Sequence, residues 1–218
     1  MLKRVRTSLA PYYLHSVLPS VVSRVLAVPA VYRAWGRFVG GKNRGAFAHD
    51  YVRARAGDRV LDIGCGPADV LQYLPDVDYT GFDINPEYIA TATRNYGDRG
   101  RFYCQRVNEE SLGNHEGFDI VLASGILHHL DDGEAEKLVN LAHTALKPGG
   151  RLITLDGVFV HDQSALARFI ISRDRGEFVR DERGYRDLAA RLFTRIDATI
   201  RTDLIRIPYT HLILECVK

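Results

Sequence analysis

VLDIGCGPA, residues Val60–Ala68, decides how the rest of the chain is read. The run Arg59–Ile63 (RVLDI) is short and apolar and meets glycines at once, which predicts a buried strand ending in a turn. Ala68–Leu74 then reads as a helix. In an open parallel sheet, a turn of this kind lies at the carboxyl ends of the strands, where ligands bind. Glycines there let the backbone approach a ligand closely.

Working outward from this turn, strand and helix patterns alternate. Tyr79–Asp83 predicts a second strand. Asn85-Pro86-Glu87 then opens a helix: Asn caps it, Pro suits the first turn, and Glu favours the positive helix end. Arg101–Val107 and Phe118–Ala123 (FDIVLA) predict the third and fourth strands. Asp131 or Asp132 caps the next helix, whose apolar stripe is Ala135, Leu138, Leu141, Ala142 and Ala145. Lys147-Pro148-Gly149-Gly150 stops it, and Arg151–Leu155 forms a fifth strand. Such repeats predict an α/β fold, with a parallel sheet covered on both faces. Residues 157–192 read as a mostly helical, Arg-rich insertion with a turn near Gly176. Two more strands, near Phe193–Arg201 and His211–Val217, predict a hairpin whose last strand lies inside the sheet or beside its edge.

The acids around the glycine turn say what kind of ligand it suits. A pyrophosphate needs bare amides at a helix start, and carboxylates at Asp62 and Asp69 repel it. Asp69 also stands where a dinucleotide fingerprint has its third glycine. S-adenosylmethionine (SAM) carries an ammonium and a sulfonium and no phosphate, so an acidic loop suits it. Asp62 can equally bond loop amides. Asp83, 19 residues beyond Gly64, ends the second strand, where a carboxylate can accept both ribose hydroxyls. Asn108 follows the third strand and can bond an adenine, or serve as a plain loop residue.

LDIGCGP (Leu61–Pro67), GFDIN (Gly81–Asn85), FDIVLASGILHHL (Phe118–Leu130) and LKPGGRLI (Leu146–Ile153) together resemble the motif series of Rossmann-like (class I) SAM-dependent methyltransferases. The resemblance covers roughly residues 55–156. It implies seven mostly parallel strands with the last antiparallel. It also implies SAM as cofactor and transfer of its methyl group to an acceptor. By resemblance, Asp62 and the loop Gly64, Cys65 and Gly66 hold the methionine portion. Asp83, with Ile84 beside it, holds the ribose. Asn108 with Val107 or Glu109 lines the adenine, and Ala123 and Ser124 flank the methionine. Ala68 stands where the family often has glycine, and Asn108 where it often has Asp. His128 and His129 follow the fourth strand. A histidine there can accept the acceptor's proton, and by resemblance His128 faces the pocket; the alternative is that both only pack the turn.

The chain has 218 residues, 46% hydrophobic and 26% charged, enough for one α/β domain with a real core. Its net charge of +2 hides an asymmetry: residues 1–59 hold eleven Lys/Arg against two Asp/Glu, and residues 60–150 hold six against fifteen. Residues 1–50 are expected to form a helical arm or cap and 51–218 the methyltransferase domain. Pro11, Pro19, Pro29 and Arg24 interrupt the apolar stretch Leu9–Val31, which argues against a transmembrane helix. Peripheral membrane contact through this arm stays open. The three cysteines, Cys65, Cys104 and Cys216, are scattered and argue against a disulfide framework. No metal site is expected, and a reducing cytoplasm suits them.

A small or lipid-like acceptor is the leading expectation. Arg168, Arg173, Arg175, Arg180, Arg183 and Arg186, with Tyr185 and His161 nearby, make it anionic unless they form a salt-bridged surface. Nucleic acid is not expected as a partner, because ASGILHH (Ala123–His129) lacks the Asn/Asp-Pro-Pro-aromatic tetrad of resembling base methylases. A protein or nucleic-acid methyltransferase, a non-catalytic SAM-binding scaffold and a nicotinamide-dependent oxidoreductase remain the alternatives.

Overall fold

The computed structural model describes residues 44–112, 117–173 and 176–218. Its centre is a seven-stranded sheet: β1 (Arg59–Ile63), β2 (Asp78–Asp83), β3 (Gly100–Cys104), β4 (Phe118–Ser124), β5 (Leu146–Gly157), β6 (Arg195–Arg201) and β7 (His211–Val217). The order across the sheet is β3-β2-β1-β4-β5-β7-β6. Strand β7 is antiparallel to both neighbours, while the β1–β5 pairings are all parallel. The expected hairpin is present, and its second strand lies inside the sheet.

Both faces are covered, which is why the inner strands read as continuous apolar runs. Side chains alternate along β1. Leu61 and Ile63 join Val121, Leu152 and Leu212 on one face, under helices α4 (Asp132–Ala145) and α6 (Glu182–Ala189). Val60 joins Ile120, Ile153 and Ile213 on the other, under α2 (Pro86–Tyr96) and the 3-10 turn Asp69–Tyr73. The start of α2 follows its sequence: Asn85 caps the helix by accepting from the amides of Glu87 and Tyr88. Asp131 does the same for α4 through Glu134.

Four boundaries differ from expectation. The helix expected over Ala68–Leu74 is the 3-10 turn, because Ala68 adopts a left-handed φ of 58° that an α-helix cannot start from. Strand β3 stops at Cys104 rather than Val107; it is an edge strand with mostly exposed residues, so no core holds it longer. Lys147–Gly150 belongs to the 12-residue β5, with a register shift opposite Phe118 and Ile120. The insertion is less helical than expected, holding only the eight-residue helices α5 (Ala165–Ser172) and α6 among its described residues.

The expected arm falls mostly outside the described residues. From residue 44, a three-residue helix α1 (Arg44–Ala46) runs into a π-helical turn, Phe47–Val52. Phe47, Ala48 and Val52 are buried in the same cluster as residues of β1 and β4. Arg53 fixes the end of this turn to Glu215 on β7 at 2.5 Å. A short helix α3 (Glu109–Leu112) follows β3. Among the described residues, no helix is long and apolar enough to cross a membrane.

Candidate functional site

The carboxyl ends of β1, β2, β4 and β5 bring most of the predicted residues to one rim. Gly64 and Gly66 have φ of 74° and 53°, which favour glycine and fold the loop back onto β2. The amides of Gly64 and Cys65 donate to the Phe82 carbonyl at 2.8 and 3.0 Å. The Gly66 amide donates to Asp83 Oδ2 at 2.9 Å. Asp83 Oδ1 accepts from the Asn85 amide at 2.8 Å. Asp83 is half-buried, and each of its oxygens keeps a lone pair beyond these bonds.

Asp62 alternates onto the face of β1 that meets Tyr79, whose hydroxyl donates to Asp62 Oδ2 at 2.5 Å. Its Oδ1 is buried and has no hydrogen-bond partner. The carboxyl is raised from 3.8 to about 7: burial is the main cause, the Tyr79 hydrogen bond opposes it and the nearby Asp83 charge adds to it. Among the described residues, no cation enters that balance. A buried carboxylate oxygen left unpaired costs free energy until a donor reaches it.

Cys65 differs from the rest of the loop. Its side chain packs under β2, where a Cβ at Gly81 would lie 2.8 Å from its Sγ, and burial pushes the thiol's pKa up. Only its backbone belongs to the loop. Ile84 is 69% exposed beside Asp83, an apolar surface at the rim. Asn108 and Glu109 are exposed, and the Asn108 carbonyl accepts from the Leu112 amide in α3. Ala123 is fully buried and Ser124 half-buried at the end of β4, paired with Thr154 and Leu155 of β5.

SAM fits these residues on chemical grounds. Asp62 Oδ1 lacks the donor that an ammonium would supply. Gly66 faces open space, since a Cβ there would meet nothing within 4 Å.

His128 lies in the 3-10 turn Leu127–His129 and is 7% exposed. Its Nδ1 sits 2.7 Å from Asp156 Oδ1, and its amide donates to the same oxygen at 3.2 Å. Asp156 lies near the end of β5, is 2% exposed, and has a buried Oδ2 without a partner. A carboxylate only accepts, so Nδ1 carries the proton and Nε2 keeps its lone pair. The turn holding His128 touches the glycine loop through Ile126, whose Cδ1 would lie 3.0 Å from a Cβ at Gly64. Sequence reasoning missed Asp156. The available signal was an acid one residue past an apolar strand, on the same sheet edge as Asp62 and Asp83.

The arginines of the insertion do not converge. Arg180 clasps the β4 exit: it donates to the carbonyls of Leu127 and Leu130 and to Asp132, at 2.7–3.0 Å. Arg186 bonds Glu182 and the Ile196 carbonyl, and Arg183 faces Asp187. Arg168 and Arg173 lie over Phe159 and Phe169. His161 is exposed beside Asp162. Tyr185 is buried and donates to the Gly157 carbonyl at 2.9 Å. Arg175 lies outside the described residues. The salt-bridged reading therefore describes Arg180, Arg183 and Arg186, and no anion cradle is formed by them.

Residues 61–152 match a family model described as a methyltransferase domain. The chain is 36% identical over 120 residues to 27-O-demethylrifamycin SV methyltransferase of Amycolatopsis mediterranei, covering 51% of this chain and 43% of that protein. It is 30% identical over 142 residues to the ubiquinone/menaquinone biosynthesis C-methyltransferase UbiE of Methylococcus capsulatus, covering 61% and 53%. The chain thus spans about half the length of the curated relatives it matches. Among solved structures, the SAM-dependent methyltransferase SibL superposes with a TM-score of 0.67 at 20% identity, over 90% of this chain and 61% of that one. Phosphoethanolamine N-methyltransferase 2 of Haemonchus contortus in complex with S-adenosyl-L-methionine gives 0.67 at 17%, over 90% and 59%. These two likenesses establish the fold. Residues 61–152, which carry the glycine loop, Asp83 and the β4 exit, are thus similar to a methyltransferase domain, on a fold that the chain shares with these solved methyltransferases.

Proposed function

We propose that the protein methylates a hydroxyl or amine of a small-molecule acceptor, with SAM as donor and His128 as general base. The observation that carries this reading is the buried His128–Asp156 pair at the exit of β4, next to the glycine loop. The donor supplies an electrophilic methyl group on sulfur. What the chain must add is position, dryness and a place for the acceptor's proton.

Each part has a candidate. Asp62 and the loop amides of Gly64, Cys65 and Gly66 take the methionine portion, and Ala123 and Ser124 flank it. Asp83 takes the ribose, Ile84 covers the adenine edge, and Asn108 and Glu109 border it. Nε2 of His128 receives the acceptor's proton, while Asp156 fixes the ring and stabilises the imidazolium that forms. Relatives named 27-O-demethylrifamycin SV methyltransferase and ubiquinone biosynthesis O-methyltransferase support a small acceptor.

The test uses S-adenosylhomocysteine release over a panel of small phenols, catechols and amines. With an acceptor in hand, His128→Ala should lower turnover about a hundredfold or more. Its calorimetric affinity for S-adenosylhomocysteine should stay within about twofold. Asp156→Asn offers Nδ1 a donor as well as an acceptor, so it should lower turnover and alter the pH profile. Wild-type turnover in His128→Ala removes the base assignment.

A further inference from the structure

We infer that helix α5 is a membrane-interface element that docks on an anionic bilayer surface. The helix turns Ala167 and Ile171 into the core, at 5% and 0% exposure. Its other face presents Leu166 and Phe169, each 56% exposed, with half-buried Ile170 one turn on from Leu166. Phe178, 40% exposed, follows nearby in the chain. Three of the six exposed large hydrophobic residues described thus fall within thirteen positions. A shallow groove of about 410 Å³ runs beside them, lined by Phe159, Ala165, Arg168, Phe169 and Ser172. Clustered apolar exposure of this kind marks an interaction surface.

Charge selects the occupant. Within α5 and its cap the charged residues are Arg168 and Arg173, while Asp162, Asp174 and Glu177 bound the segment on either side. The guanidinium of Arg168 lies 5.3 Å over the Phe159 ring, and that of Arg173 lies 5.0 Å over Phe169. The cations are therefore held at the rim of the apolar stripe, the arrangement an interfacial helix uses: rings in the acyl boundary, arginines among headgroups. Anionic lipid attracts such arginines directly. A second copy of the chain, by contrast, would bring the same arginines face to face across a two-fold axis.

The surface also borders the acceptor side. The Phe178 amide donates to the His128 carbonyl at 3.0 Å, and a Cβ at Gly176 would collide with the His128 ring. An amphiphilic acceptor held in the lipid interface is thereby brought up to His128, a consequence that rests on the reading of His128 given above.

The test is co-sedimentation of the full chain, without donor or acceptor, with phosphatidylcholine vesicles and with vesicles about one-third phosphatidylglycerol. Because no turnover is measured, its failure is separate from failure of the methyl-transfer reading. Binding should favour the anionic vesicles and weaken with salt. Leu166→Gln with Phe169→Gln should lower partitioning about tenfold or more, and Arg168→Gln with Arg173→Gln should do so on the anionic vesicles only. Circular dichroism confirms that the variants are folded. Three results overturn the proposal: no binding by the wild type, or binding unchanged in both helix variants but lost when Lys3, Arg4 and Arg6 are replaced by glutamine. The third is a dimer that the Leu166/Phe169 variant abolishes while vesicles remain unbound.

Discussion

Replacing Asp62 by asparagine should make the cofactor-free protein more stable, and increasingly so as the pH rises. Asp62 is 4% exposed, its Oδ1 has no partner, and its carboxyl titrates near 7 rather than 3.8. Burial is the main cause, opposed by the Tyr79 hydrogen bond and reinforced by Asp83. Folding thus raises the affinity of this group for its proton about a thousandfold, and each tenfold is worth about 1.4 kcal/mol. Below about pH 4 the group is protonated in both states and costs nothing. From there to about pH 7 only the unfolded chain releases the proton, so native stability falls, and above about pH 7 the cost is constant. It amounts to about 2 kcal/mol at about pH 5.5 and about 4 kcal/mol at about pH 8.5. The asparagine side chain is a neutral near-isostere and removes this titration. Urea melts of wild type and Asp62→Asn at the two pH values should therefore show the stability difference, variant minus wild type, growing by about 2 kcal/mol toward high pH. In the same preparations S-adenosylhomocysteine should bind the variant more than about tenfold more weakly. A pH-independent difference would refute the view that Asp62 is held charged against its surroundings for the sake of a cationic ligand.

Two further outcomes follow from the same geometry. Asp83→Ala should weaken S-adenosylhomocysteine binding more than about tenfold in calorimetry, because it removes the proposed ribose acceptor and frees the Gly66 amide; unchanged affinity would remove the ribose assignment. Arg180→Met keeps most of the side-chain volume but strips the carbonyls of Leu127 and Leu130 of their donor. It should cost about 2–4 kcal/mol in chemical denaturation, and a loss under about 0.5 kcal/mol would show that the clasp is dispensable.

The sheet was legible because its local signals agree with one another. Apolar runs in β1 and β4 come from burial on both faces, and Asn85 and Asp131 sit where helices need caps. The turn after β1 and the acid ending β2 are close in sequence terms to what they do, since each occupies a strand end. Pairings that depend on register were not legible. Asp156 and His128 are 28 residues apart and meet only because β5 lies beside β4. Tyr79 reaches Asp62 across the β1–β2 pair in the same way. The left-handed backbone of Ala68 was hidden too, because alanine there reads as a helix former. The arginines misled for a related reason: composition marks them as anion binders, but partners such as Asp132 and the Leu127 carbonyl appear only in three dimensions.

Gly176 fixes a constraint on how this scaffold can be rebuilt. The chain crosses the His128 ring so closely at this point that any side chain would displace the imidazole. A designer exchanging residues 158–192 for another segment must keep the buried side chains Ala167, Ile171, Tyr185 and Ala189 and can vary the exposed ones. The crossing point itself must stay bare, or the His128 ring swings away from Asp156.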